Sequence, residues 1–209
     1  MELDNITVFK HNSIRIEGSK KIYIDPFRID EKYNDADYIF CTHSHYDHYS
    51  EEDISNLLKK DTRLIVTKDI YKKAVEFLND ECRVYSVEQN KEYNIDGLYF
   101  KTIPAYNINK QFHPIDNEWV GYIIEVDEIK YYIAGDTDNV PEIRNIKCDV
   151  AFIPVGGTYT MNVEEAADLA NKINAKCIVP THYGEIVGNK NDGNEFKKLV
   201  NKEVHILIK

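Results

Sequence analysis

The chain reads as an α/β protein built as a four-layer αββα sandwich, with two mixed sheets and helices on their outer faces. Short β-branched runs fill the first forty residues, segments of strand and helix period then alternate, and a hairpin-rich stretch interrupts them near the middle. Strand-rich regions recurring in both halves fit two packed sheets better than one doubly wound sheet.

The first strands are Ser13-Ile14-Arg15-Ile16, Lys21 to Ile24 and Tyr38 to Cys41. Ser50 and Asp53 form a capping box, after which Ile54, Leu57 and Leu58 stand at helical spacing. A strand at Leu64-Ile65-Val66, a helix with Ile70, Ala74, Phe77 and Leu78 on one face, and a strand from Val84 to Val87 follow. The middle is sheet, from Leu98 to Ile103 and then Val120 to Val126 and Lys130 to Ala134, joined as a hairpin across Asp127-Glu128. Alternation returns with a strand from Val150 to Ile153, a helix boxed by Asn162 and Glu165, and a strand at Ile178-Val179. Asp192 is placed to cap a last helix carrying Phe196, Leu199 and Val200, and Val204 to Ile208 reads as the closing strand.

At 209 residues the length suits one domain spanning 1–209. No apolar run nears the ~20 residues of a membrane span, mean hydropathy is -0.50, and the acidic start Met1-Glu2-Leu3-Asp4 is unlike a signal peptide. A cytoplasmic protein is expected. Twenty-six basic against thirty-six acidic residues give a net charge of -10, which argues against nucleic acid or an anionic membrane as partner. A small-molecule substrate is expected, and the oligomeric state is not legible. The four Cys form no Cys-x-x-Cys pair, and Cys41, Cys148 and Cys177 lie in or beside apolar runs, as reduced core thiols do.

Chemistry concentrates in His43-Ser44-His45-Tyr46-Asp47-His48, which follows an apolar strand and holds three of the chain's seven His. Imidazole nitrogen and carboxylate oxygen are ligands for borderline divalent metals, and the two-residue step from His43 to His45 aims both rings one way in extended chain. Asp47 and His48 come one turn on, an offset suited to two neighbouring ions. Packing offers no other reason to desolvate so many polar groups. Three later strand ends carry polar residues. Asp136 in Gly135-Asp136-Thr137 has two oxygens able to bridge two ions, or is a turn residue. His182 follows a strand and Pro180. Gly156, Gly157 and Thr158 form a candidate substrate loop whose backbone N–H groups can face a ligand oxygen, or a plain tight turn.

With its His-x-His-x-Asp-His cluster at 43 to 48, Gly135-Asp136-Thr137 and late His182 in that order, nearly the whole chain resembles the metallo-β-lactamase fold superfamily of metal-dependent hydrolases. Ile24-Asp25-Pro26 is similar to the branch related to ascorbate-6-phosphate lactonase and N-acylphosphatidylethanolamine phospholipase D. The resemblance implies that His43 and His45 bind one metal, that Asp47, His48 and His182 bind another, and that Asp136 bridges. The third His usual to the first metal, often within Gly-His-Thr, is missing from Pro104-Ala105-Tyr106-Asn107. His113 is expected in its place, with Asn107 or water as the alternative. Asp25 is expected to orient a ligand His, or to be a turn residue before Pro26. His11 and His205 are read as structural.

The implied chemistry is hydrolysis of a small ester, lactone or phosphodiester by a metal-bound hydroxide, with two divalent ions as cofactors. Zinc is the expected metal, and manganese, iron or cobalt fit similar sites. Asp47 would also orient the nucleophile, and Tyr183, Tyr106 or a second metal-bound water would supply the leaving-group proton. The alternatives are a nuclease of the same superfamily, which would want a basic surface, and a metal-binding or redox protein without hydrolytic activity.

Overall fold

The structure, a computed structural model, describes residues 2–208. Strands β1 (Ile6–Val8), β2 (Ile14–Glu17), β3 (Lys21–Ile24), β4 (Tyr38–Phe40), β5 (Arg63–Thr67) and β6 (Val84–Val87) form one sheet in that spatial order. The first three pair antiparallel, and pairing from β3 to β6 is parallel. The second sheet repeats this plan. An antiparallel meander of β7 (Glu92–Ile95), β8 (Leu98–Pro104), β9 (Val120–Val126) and β10 (Ile129–Ile133) leads into parallel β11 (Lys147–Pro154), β12 (Asn174–Thr181) and β13 (Glu203–Val204).

Parallel pairing demands crossovers, and helices supply most of them. Helices α1 (Glu51–Leu57) and α2 (Lys68–Leu78) serve the first sheet, and α3 (Val163–Lys172) and α4 (Asp192–Leu199) the second. Side-chain alternation separates the layers. Tyr38 and Phe40 face the core between the sheets with Tyr122, Ile124 and Phe152. Ile39 and Cys41 face outward onto Ile54, Leu57, Ile70 and Ala74 of α1 and α2. On the far side Tyr132, Ala151 and Ile178 pack against Ala166, Leu169 and Phe196 of α3 and α4. The four-layer αββα order follows from these three apolar layers.

The hairpin turn at Asp127-Glu128 places both residues in the left-handed region, φ 51° and 64°, the geometry of a two-residue link between twisted strands. Asn162 and Glu165 make both bonds of their box. Ser50 accepts from the Asp53 N–H, but the Asp53 carboxylate turns instead to the Ile29 N–H, 2.6 Å away. Two strands go unread in the sequence, and two expectations need correction. Strands β1 and β7 carry too little apolar signal to be read, one being three residues long and the other a largely exposed edge. The closing strand is only Glu203–Val204, followed by a single bridge between Val8 and Ile208. Asn191, not Asp192, precedes the last helix, and Asp192 accepts from the Asn189 N–H. Cys41, Cys148 and Cys177 are buried free thiols and Cys82 is exposed. No helix among the described residues is long and apolar enough to cross a membrane.

Candidate metal centre

Strand ends on one rim converge, as the parallel halves of both sheets require. Asp25 follows β3, residues 43–48 follow β4, the 105–119 segment joins β8 to β9, Asp136 follows β10 and His182 follows β12. Gly135 lets the loop after β10 in. Its φ is +66°, and a Cβ there would lie 3.2 Å from the Thr42 side chain.

His43, His45 and His113 form the first group, their ligand atoms within 4.8 Å of one another. His43 Nε2 and His45 Nδ1 stand 3.0 Å apart. The residue expected to replace the missing loop His therefore lies beside the other two. Asn107, the alternative, acts on His113 instead. Its Oδ1 accepts from the His113 N–H and from Nδ1, at 3.1 and 3.0 Å, which leaves His113 Nε2 free to face the cluster. Trp119 walls this group, with ring centroids 4.8 Å from both His43 and His45.

Asp47, His48 and His182 form the second group, and His11 joins them. The sequence reads His11 as structural, and the structure places it in this group. Its position in the turn after β1 puts its ring 3.6 Å from that of His182, and the His182 N–H donates to the His11 carbonyl at 2.9 Å. A lone His so early in the chain gives no spacing signal, because its neighbours are set by tertiary pairing. His205 does lie elsewhere, bonded to Glu203.

Asp136 stands between the groups. Its Oδ2 is 3.2 Å from His113 Nε2 and 3.0 Å from His182 Nε2, and its Oδ1 is 3.4 Å from His48 Nε2. These approaches lack hydrogen-bond geometry. His11 Nδ1 and Nε2, His48 Nε2, His113 Nε2, His182 Nδ1 and Nε2, and Asp136 Oδ1 are buried with no hydrogen-bond partner among the described residues. So many orphaned donor atoms in one place would cost several kcal/mol if left alone. A set of nitrogen and oxygen atoms aimed at common points is what divalent cations require, so the residues fit the metals that the resemblance implies.

Polar partners behind the rings fix their orientation. Asp25, fully buried, accepts from Asn12 Nδ2 (2.7 Å), the Thr42 N–H and hydroxyl (2.8 Å each) and His48 Nδ1 (2.7 Å). With its proton given to Asp25, the Thr42 hydroxyl accepts from His43 Nδ1 at 3.0 Å. Both rings thus present Nε2 to the cluster. Burial, reinforced by His48, holds the His43 imidazole well below its ordinary range, in the neutral form a metal binds. Burial and His113 also lower His45. Burial opposes ionisation of Asp136, yet His182 and His48 outweigh it and keep the carboxylate charged. Asp47 is held low in the same sense, by His48 and His11 against burial. Burial works against the His48 imidazolium, but Asp136, Asp25 and Asp47 keep it favoured in the metal-free protein.

Not every expected residue joins the cluster. Tyr183 does not reach the cluster. The chain leaves the strand at His182, whose φ is +59°, and while His182 enters the site the Tyr183 hydroxyl abuts Gly193 in the outer core, without a hydrogen-bond partner among the described residues. The Tyr106 hydroxyl donates to Glu142. The Gly157 N–H donates to the Met161 carbonyl, so the loop is a tight turn. Gly156, Gly157 and Thr158 line a cleft of about 660 Å³ with Asn162, Asn189 and Asp192. Gly156 backs directly onto His182, whose carbonyl would lie 2.1 Å from a Cβ.

Comparison with known proteins agrees with this architecture. Residues 5–182 match the beta-lactamase superfamily domain. A UPF0173 metal-dependent hydrolase of Pyrococcus horikoshii is 30% identical over 95% of this chain and 92% of its own. A crystal structure of a metal-dependent hydrolase from Parabacteroides distasonis is 29% identical, with a TM-score of 0.82 over 98% of this chain and 93% of that one. The fold is shared with a metallo hydrolase of Ignicoccus hospitalis, at 23% identity and a TM-score of 0.74 over 96% and 93% of the two chains. From these matches and the two-sheet architecture, the chain belongs to the metallo-β-lactamase superfamily and, within it, to the UPF0173 family.

Proposed function

We propose that this chain is a binuclear metal-dependent hydrolase acting on a small ester, lactone or phosphodiester. The observation that carries the reading is Asp136, whose Oδ2 lies between His113 of the first group and His182 of the second while its Oδ1 approaches His48. His43, His45 and His113 would hold one ion and Asp47, His48 and His182 the other, with Asp136 shared. Zinc, manganese or iron suits such donors. Bound there, the ions would lower the pKa of a water and polarise the electrophile.

The chain's own residues supply the setting. Asp25, Thr42 and Asn107 keep the Nε2 atoms of three imidazoles directed inward. Asp47 is the least buried of the carboxylates around the cluster, 8% exposed, and would orient a nucleophile from there. His45 is half-buried beside exposed Tyr46, which marks the opening. The net charge of -10 favours a small substrate over nucleic acid.

The test is a screen of protein loaded with zinc, manganese or iron against lactones, aryl esters, aryl phosphodiesters and single-stranded RNA. Turnover of one of the first three classes, lost in Asp136→Ala, supports the proposal. Turnover of RNA alone, or of nothing by protein holding two ions, overturns it.

A further inference from the structure

The second histidine group holds more donors than the first, and His11 is the surplus. The ring is fully buried, yet neither nitrogen has a hydrogen-bond partner among the described residues. Its Nε2 lies 3.2 Å from Asp47 Oδ2. One atom each from His11, Asp47, His48 and His182 falls within 4.8 Å of the rest. Donors sharing one ion at about 2.1 Å are spaced by roughly 3–4 Å.

The backbone is held to this arrangement against its preference. His11 has φ +56° and His182 φ +59°, both in the left-handed region that costs a non-glycine residue about 1 kcal/mol. The hydrogen bond from the His182 N–H to the His11 carbonyl locks the two strained residues together. Packing alone gives no reason to press a second imidazole against His182, because an apolar ring would fill the space without two orphaned nitrogens.

We propose that His11 is a protein ligand of the second ion, beside Asp47, His48 and His182. With Asp136 shared, the second ion then has five protein donors and the first has four. This rests on the binuclear reading and deepens it. Five donors suit manganese, iron or cobalt, which accept five or six ligands, better than zinc in a four-coordinate site. The two sites would therefore differ in metal preference.

The test uses the unmutated protein, loaded with NMR-active cadmium and carrying nitrogen-labelled histidine. Two cadmium resonances, each coupled to three imidazole nitrogens, support the inference. The His11→Gln variant, which keeps a hydrogen-bond donor but is a poor ligand, should lose one coupling and bind the second ion at least about tenfold more weakly. Two cadmium resonances with couplings to five imidazoles and none to His11 would overturn the inference and leave the binuclear reading standing. Fewer than two resonances would overturn both. The coupling count needs no variant, so poor folding of His11→Gln would not protect the inference.

Discussion

Replacing Asp25 by Asn tests how the ligand rings are held. The change is nearly isosteric, and at φ +46° Asn is at ease, so the backbone adds little. The charge is lost and one oxygen becomes an NH2 group. If that group takes the place of Oδ2, it meets the three donors Asn12 Nδ2, the Thr42 hydroxyl and His48 Nδ1, at 2.7, 2.8 and 2.7 Å. Thr42 can rotate its hydroxyl and His48 can switch tautomer, but the Asn12 amide is left facing another donor. If the NH2 group takes the place of Oδ1 instead, it meets the Thr42 N–H, which cannot turn away. One orphaned donor at about 1–3 kcal/mol plus the lost charge-assisted bonds gives roughly 4 kcal/mol of destabilisation in metal-free protein. The tautomer switch moves a proton onto His48 Nε2, the atom that faces Asp136, and metal affinity should fall about 10–100-fold. Urea unfolding and calorimetric metal titration measure the two effects. Wild-type metal affinity in a folded Asp25→Asn protein would refute the reasoning.

Four further outcomes follow from the packing. Trp119, the one Trp in the chain, lies against His43 and His45, so paramagnetic cobalt or manganese should quench its fluorescence; emission unchanged at full loading would contradict the placement of the first site. Gly156→Ala puts a methyl group 2.1 Å from the His182 carbonyl, so His182 must shift and the second ion should be lost before the first; metal content per chain checks this, and retention of both ions would count against it. In the native protein only Cys82 should react with a thiol reagent, all four reacting after denaturation. Burial raises Cys177 to about 11 and Cys148 to about 12. The folded state therefore keeps protons that the unfolded chain releases above about pH 9, and stability should fall by up to about 1.4 kcal/mol per pH unit for each thiol between about pH 9 and 11. A flat urea midpoint over that range would refute the assignment.

Much of this was legible in the sequence because the signals were local. The strands from Ile14 to Val87 and the helices around Ile70 and Ala166 announce themselves by periodicity, and His43 to His48 by sheer concentration. Asp136 and His182 stand out because each follows an apolar strand directly. His11 and Asn107 were harder to read, since their roles depend on contacts with His182 and His113 that only pairing across the fold creates. Tyr183 misled for the opposite reason. Adjacency to His182 in the chain is separation in space, because beyond the left-handed turn at His182 the Tyr183 ring packs into the outer core while His182 joins the metal group.

The most direct test of the account is a crystal structure of protein grown with manganese, with anomalous difference density measured at the metal. Two peaks about 3.5–4 Å apart on either side of Asp136, one against His43, His45 and His113 and the other against Asp47, His48 and His182, are predicted. A single peak, or none within this cluster, would contradict it.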